Sequence, residues 1–167
     1  MNEKLEAWNA ASETDALNAM LACCGARRWA AAMVVLRPFA NEGDLCAKAD
    51  LVWSTMKEPD WLEAFACHPR IGERKSAQGQ SAAWSQQEQS SVNTAEADVL
   101  AQLAAGNAEY ERRFGFTYIV CATGRSAVEM LEILNRRLNS SREAELLQAA
   151  EQQRQITQIR IGKWLMK

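Results

Sequence analysis

His68 is the only histidine among the 167 residues of the chain. An imidazole with an unperturbed pKa of about 6.5 is the side chain best suited to exchanging protons near neutral pH. Pro69 restricts the backbone directly after it, and Arg70 places a cation nearby. A histidine before proline is also typical of a turn, so the pattern by itself leaves a catalytic and a structural interpretation open.

A single histidine excludes several kinds of site. A catalytic zinc site usually takes three protein ligands drawn mostly from histidine, and a di-iron bundle requires repeated Glu-x-x-His motifs. The sequence also has no Gly-x-Ser-x-Gly elbow, no Gly-x-Gly-x-x-Gly loop and no Walker lysine. We therefore predict that any enzymatic activity uses neither a metal nor a cofactor.

Two charged residues could act beside His68. Glu88 lies twenty residues further along, so only tertiary structure can bring the two together, and a neighbouring carboxylate would favour the charged imidazole. Glu88 fits a solvated surface position equally well, and Arg160 fits a salt-bridge partner on the last helix. Cys67 is interpreted as a packing residue, because nothing in the sequence indicates a lowered thiol pKa.

Helical periodicity dominates the elements that must position these residues. Ser126 with Glu129 predicts a capping box that opens a helix. Apolar residues recur at helical spacing in two clear stripes: Leu45, Ala49, Val52, Trp53 and Met56, then Ala127, Leu131, Leu134 and Leu138. Further helices are predicted over 12–24, 27–36, 95–112 and 141–167, with a short one from about residue 60.

Two segments do not follow helical spacing. Residues 116–122 are β-branched and aromatic, but no second strand could pair with them, so we predict a buried connector or a short helical piece. Residues 73–83 are polar and without period, which is typical of a functional or mobile segment. The predicted fold is all-α, a compact single-domain bundle of about seven to nine helices over residues 1–167.

Composition and charge exclude several classes of partner. With 19 basic and 21 acidic residues the net charge is -2, which argues against nucleic-acid binding. The longest apolar run, residues 29–36, is too short to span a membrane. Five cysteines without Cys-x-x-Cys spacing favour reduced thiols, and neither end carries a targeting pattern. We expect a cytoplasmic protein.

Five short motifs occur in order along the chain: Arg37-Pro38-Phe39, Trp61-Leu62-Glu63-Ala64-Phe65, His68-Pro69-Arg70-Ile71-Gly72, Trp84-Ser85-x-x-Glu88-Gln89 and Phe114-Gly115-Phe116-x-x-Ile119-Val120-Cys121-Ala122. Read together, they resemble the 2-oxo-4-hydroxy-4-carboxy-5-ureidoimidazoline (OHCU) decarboxylase family of urate degradation. The resemblance covers nearly the whole chain.

This resemblance implies an all-helical homodimer that decarboxylates a small ureidoimidazoline without a cofactor and yields (S)-allantoin. His68 matches the catalytic histidine of the family, and Glu88 matches its active-site carboxylate. The positions that match substrate-binding residues are Pro69, Ser85, Gln89, Ile119, Val120, Cys121, Ala122 and Arg160.

Two other functions remain open to the sequence. One is a non-catalytic helical interaction module, although the polarity of residues 67–91 argues against it because helix-binding grooves are apolar. The other is a decarboxylase or hydrolase that acts on a different ureido compound.

Overall fold

A computed structural model describes residues 2–71 and 97–167. Within these ranges the chain forms eight helices and no strand, as predicted for an all-α protein. The helices are α1 (Glu3–Ala10), α2 (Glu13–Cys23), α3 (Arg27–Val35), α4 (Glu42–Ser54), α5 (Glu58–Ala66), α6 (Ala97–Phe114), α7 (Ala127–Arg137) and α8 (Arg142–Leu165). The polar segment 73–83 lies outside the described residues.

The helix boundaries follow local sequence signals. The Ser126 hydroxyl accepts the Glu129 N–H at 3.1 Å, and the Ser12 hydroxyl accepts the Asp15 N–H at the same distance. Each bond satisfies a backbone donor that has no partner within the first turn of a helix. The predicted start of α7 is therefore confirmed. Helix α1, which the sequence analysis did not predict, is capped by the Asn2 side chain.

The chain divides into two units, Met1–Ala64 with Arg154–Lys167, and Phe65–Gln153. The prediction of a single domain stays a prediction. None of the helices in the described ranges is both long and apolar enough to cross a membrane.

Indole rings form much of the core of the first unit. Trp8 stacks on Phe39 with ring centroids 5.8 Å apart and meets Trp164 edge-on at 6.0 Å. The fully buried Trp29 donates its indole N–H to the carbonyl of Ala49 at 3.0 Å. The indole N–H groups of Trp29 and Trp8 thus find carbonyl partners where they are buried, as expected for tryptophan in a core.

The core of the second unit is an aromatic cluster. Tyr110 contacts three of its neighbours, with ring centroids 4.6 to 5.6 Å apart, and the members of the cluster are Phe65, Tyr110, Phe114, Phe116 and Tyr118. Helix α6 also approaches α7 closely at Gly106, where an added Cβ would lie 2.6 Å from Cδ2 of Leu134. A side chain at this position would therefore require the Leu134 side chain to shift.

Candidate active site

His68 follows the end of α5 in the second unit. Its backbone N–H donates to the Phe65 carbonyl at 3.1 Å, so the chain leaves the helix through a tight turn before Pro69. The ring is partly buried, and its Nε2 lies 2.6 Å from Oε1 of Gln153. The only histidine of the chain is thus held at one ring nitrogen by a neutral amide.

Gln153 is fully buried and lies in the long helix α8. The sequence analysis missed it, because a glutamine in a helix rich in Gln, Glu and Arg resembles a solvated residue. A signal was present, since Leu146, Ala149, Ala150 and Gln153 fall at i, i+3, i+4 and i+7 and all are buried. A polar residue on that stripe must find a hydrogen-bond partner inside the protein.

Residues 116–122 form the predicted buried connector and contain no helix. Two side chains replace the missing backbone partners of this segment. The Asn107 Oδ1 accepts the Tyr118 N–H at 3.1 Å, and the Gln152 Oε1 accepts the Cys121 N–H at 2.8 Å. Ile119, Val120, Cys121 and Ala122, the predicted substrate-binding stretch, are all buried.

Adjacent residues of one helix therefore hold two parts of the predicted site. Gln152 accepts from the backbone of Cys121, and Gln153 contacts the ring of His68. Both glutamines are buried, with exposed fractions of 6% and 0%. The structure brings together His68 and the 119–122 stretch through α8, although 53 residues separate His68 from Cys121 in sequence.

A buried ion pair fixes the other end of the 119–122 stretch. Arg137 donates to Glu145 at 2.7 Å and to the Ile119 carbonyl at 2.6 Å. Glu145 also accepts the Tyr110 hydroxyl at 2.7 Å. Burial raises the pKa of Tyr110, against the opposing effect of Arg137, so the phenol remains a hydrogen-bond donor. This buried network supports the carbonyl of Ile119.

Arg70, two residues after His68, contributes to a further polar cluster. Its Nε donates to Oε1 of Glu111 at 2.6 Å, and this guanidinium lowers the pKa of the Glu111 carboxyl. The same oxygen accepts from the Asn107 amide at 3.2 Å. Together with Ile71, Ala104 and Ala108, these side chains line a cavity of about 280 Å³. Arg70 is thereby tied to α6.

Arg160 belongs to the first unit, where its side chain is buried with 3% exposed. Its positive charge acts on the Cys23 thiol, but burial dominates and raises the pKa of that thiol to about 12. Glu88, Ser85 and Gln89 lie outside the described residues. Their predicted roles stay predictions.

Within residues 2–71 and 97–167, no group of three or more His, Cys, Asp or Glu side chains could hold a metal ion. The described groups that contact His68 and the 119–122 stretch include the amides of Gln152 and Gln153 and the guanidinium groups of Arg125 and Arg137. The prediction that the activity uses no metal or cofactor stays a prediction.

A profile of the family described as OHCU decarboxylase matches residues 9–162. The chain belongs to the OHCU decarboxylase family. The predicted family and the predicted enzyme class, a carboxy-lyase, are confirmed, and the alternative of a non-catalytic module is not supported.

Individual relatives of this OHCU decarboxylase family member agree with the match. It is 37% identical over 144 residues to the uric acid degradation bifunctional protein TTL of Arabidopsis thaliana, a match that covers 84% of this chain and 44% of that protein. It is 31% identical over 134 residues to the 2-oxo-4-hydroxy-4-carboxy-5-ureidoimidazoline decarboxylase of Amia calva, over 79% of this chain and 77% of that protein. The chain thus spans less than half of the plant protein.

The fold agrees with a solved structure as well. A crystal structure of OHCU decarboxylase in the presence of (S)-allantoin superposes with a TM-score of 0.79 at 32% identity. The superposition covers 94% of this chain and 100% of that one.

Proposed function

We propose that this chain catalyses the decarboxylation of OHCU to (S)-allantoin in urate degradation, with His68 as the group that exchanges protons with the substrate. Family membership supports the reaction. The observation that carries the role of His68 is the 2.6 Å contact between its Nε2 and the buried Gln153 amide, because a held imidazole can present its other nitrogen in a defined direction.

The substrate provides its own electron sink. OHCU carries a carboxylate on a carbon that also bears a hydroxyl, beside a ring C=N bond. When the C–C bond to the carboxylate breaks, its electron pair flows into that C=N bond, so no pyridoxal, thiamine or metal is needed to accept it. The protein must orient the carboxylate out of the ring plane, take the hydroxyl proton and protonate the neighbouring carbon from one face.

His68 takes the hydroxyl proton in this proposal, as the carbon that loses carbon dioxide becomes a carbonyl. General acid–base assistance of this kind is worth about 10²–10⁴-fold in rate. The family resemblance assigns Glu88 as the active-site carboxylate, whose charge would favour the imidazolium that forms on His68. Controlled delivery of the final proton to one face is what gives the (S) product, since a planar intermediate released into water would yield racemic allantoin.

Substrate binding is assigned to side chains and to backbone. The buried 119–122 stretch offers backbone groups whose positions are supported by Gln152 and Arg137. From the resemblance, Pro69, Ser85 and Gln89 contact the ring and ureido atoms. The resemblance assigns Arg160 to substrate binding as well.

The proposal is tested by generating OHCU enzymatically in the assay mixture. Urate is converted with urate oxidase and hydroxyisourate hydrolase, the purified chain is added, and the circular dichroism of the allantoin is followed. We expect faster allantoin formation and a signal of one sign, compared with a weak or absent signal without the chain. No acceleration and no optical activity would contradict the proposal. Activity lost on adding a chelator would contradict the metal-free reaction.

We also propose a cytoplasmic homodimer, on the basis of the resemblance and of the reduced-thiol composition. Sedimentation equilibrium should give twice the chain mass of 18.6 kDa. A monomer mass at micromolar concentration would contradict the dimer, and recovery of the native protein in an organelle or membrane fraction would contradict the compartment.

A further inference from the structure

The His68 ring is held from one side by an amide oxygen, which can only accept a hydrogen bond from it. The Nε2 atom lies 2.6 Å from Oε1 of Gln153, which is within hydrogen-bond distance. An amide oxygen has lone pairs and no proton, so it can only accept. The proton of this hydrogen bond must therefore be on Nε2.

A neutral imidazole carries one proton, and the position of that proton decides which nitrogen is basic. When Nε2 holds it, Nδ1 keeps its lone pair. We propose that Gln153 is a positioning residue that holds His68 in the Nε2–H tautomer, so that Nδ1 is the atom that receives the hydroxyl proton of the substrate. This inference rests on the proposed decarboxylation.

The surroundings of Gln153 make it suitable for this role. Its side chain is fully buried, and it lies in the interior of the 24-residue helix α8. The next residue back, Gln152, is bonded to the Cys121 backbone at 2.8 Å, so the same turn of helix is fastened to the predicted substrate-binding stretch. A buried amide on a supported helix turn cannot easily move away from the ring.

The proton transfer balances when water supplies one proton. The nitrogen of the former C=N bond and the neighbouring carbon each take a proton, while the hydroxyl releases only one. The hydroxyl O–H bond of the substrate breaks as the carbonyl forms, and its proton goes to Nδ1. His68 becomes an imidazolium with protons on both nitrogens, while Nε2–H continues to donate to Gln153. The amide stays neutral throughout and takes no proton. A ring locked in the opposite tautomer would present a donor to the hydroxyl and could not accept its proton.

The tautomer can be read directly, because the chain contains one histidine. A tag-free protein labelled with ¹⁵N is recorded in long-range ¹H–¹⁵N spectra, at a pH above the titration of the ring. We expect a pyrrole-type signal for Nε2 and a pyridine-type signal for Nδ1. A protonated Nδ1, or signals averaged between the two tautomers, would overturn the proposal.

Variants of residue 153 distinguish a role in positioning the His68 ring from a purely structural role. Gln153→Met keeps the length and removes the amide acceptor, so we expect averaged tautomer signals and a loss of about 10²-fold in kcat, with KM little changed. Gln153→Glu restores an acceptor and adds a negative charge. It should restore the Nε2–H tautomer and move the rising limb of the pH profile of kcat/KM to higher pH by about one unit.

Gln148→Met is the matched control, because Gln148 lies on the exposed side of the same helix. It should change neither the spectra nor kcat.

A Gln153→Met protein with the wild-type tautomer and wild-type kcat would overturn the proposal. If the wild-type chain makes no (S)-allantoin, the proposed decarboxylation is contradicted, and the tautomer is still measured independently. If it is active with Nδ1 protonated, only the present inference fails. If Gln153→Met does not fold, the tautomer observed in the wild-type spectrum still tests the proposal.

Discussion

His68 and Arg137 are each held by a side chain of α8, and the two holders differ in charge. Gln153 offers His68 a neutral amide oxygen at 2.6 Å, whereas Glu145 offers Arg137 a carboxylate oxygen at 2.7 Å. Arg137 is 5% exposed. A guanidinium stays protonated at any physiological pH, so in a buried position it requires a partner that neutralises it.

An imidazole that exchanges protons has the opposite requirement. A second carboxylate, in place of Gln153, would favour the charged ring and keep the proton on it. A neutral amide orients the ring and adds no charge of its own that would favour one protonation state over the other. Arg137 and Glu145 thus form a charged pair that supports the fold, whereas the neutral contact of Gln153 with His68 positions, in the proposed function, a ring whose charge must change.

The largest expected effect comes from removing the titrating group itself. In His68→Asn the side chain keeps polar atoms but cannot take a proton near neutral pH, so kcat should fall by about 10²–10⁴-fold. The free energy of unfolding should stay close to that of the wild type, because the ring is only partly buried. The checks are the dichroism assay and a urea titration. Near-wild-type production of (S)-allantoin would remove His68 from the mechanism.

Breaking the ion pair between Arg137 and Glu145 should, unlike His68→Asn, cause a large loss of stability. In Arg137→Met the Glu145 carboxylate stays buried without its cation, which should lower the free energy of unfolding by about 3–5 kcal/mol. The measurement is the midpoint of urea unfolding by far-ultraviolet dichroism.

A surface pair provides the control for that variant. Arg112 pairs with Glu109 on the exposed face of α6, so Arg112→Met should cause no measurable change in the same titration. The double variant Arg137→Met with Glu145→Gln should recover part of the loss, because no buried charge is left. Equal effects at positions 112 and 137 would contradict the distinction between a buried and an exposed ion pair.

Gln152 tests whether an amide that accepts a backbone N–H has a different role from the Gln153 amide, which contacts the His68 ring. In Gln152→Leu the side-chain acceptor of the Cys121 N–H is removed, at a cost of about 1 kcal/mol in stability. KM should rise more than kcat falls, because the 119–122 stretch binds substrate in the proposed function. Steady-state kinetics give the split. A fall in kcat with KM unchanged would place Gln152 with Gln153 instead.

The smallest expected effect is a change in stability at two glycines that belong to neither pair. Gly162 lies inside α8 with nothing within 4 Å of an added Cβ, so Gly162→Ala should raise the free energy of unfolding by up to about 1 kcal/mol. Gly106→Ala is the matched variant in α6, where the added atom meets Leu134 and should lower stability by about 1 kcal/mol. Thermal unfolding of both variants checks the opposite signs, and two shifts of the same sign would contradict the packing argument.

Local signals predicted much of the helical structure. The Ser126 cap, the apolar stripe of α4 and the long last helix are confirmed, because capping and helical spacing involve residues a few positions apart. Helix α1 was missed, since only Leu5 and Trp8 are buried along it and its periodic signal is short. The 116–122 connector was predicted as buried, but not which side chains satisfy its backbone.

The sequence by itself determined the candidate group for chemistry, because a single histidine leaves one imidazole to consider, and its ordered motifs determined the family. Only the tertiary structure decided how that imidazole is held. His68 and Gln153 are 85 residues apart, and a hydrogen bond across such a distance leaves no period or spacing in the chain. Any of several glutamines of α8 could have met the ring, and the packing of the helix selected the one that does.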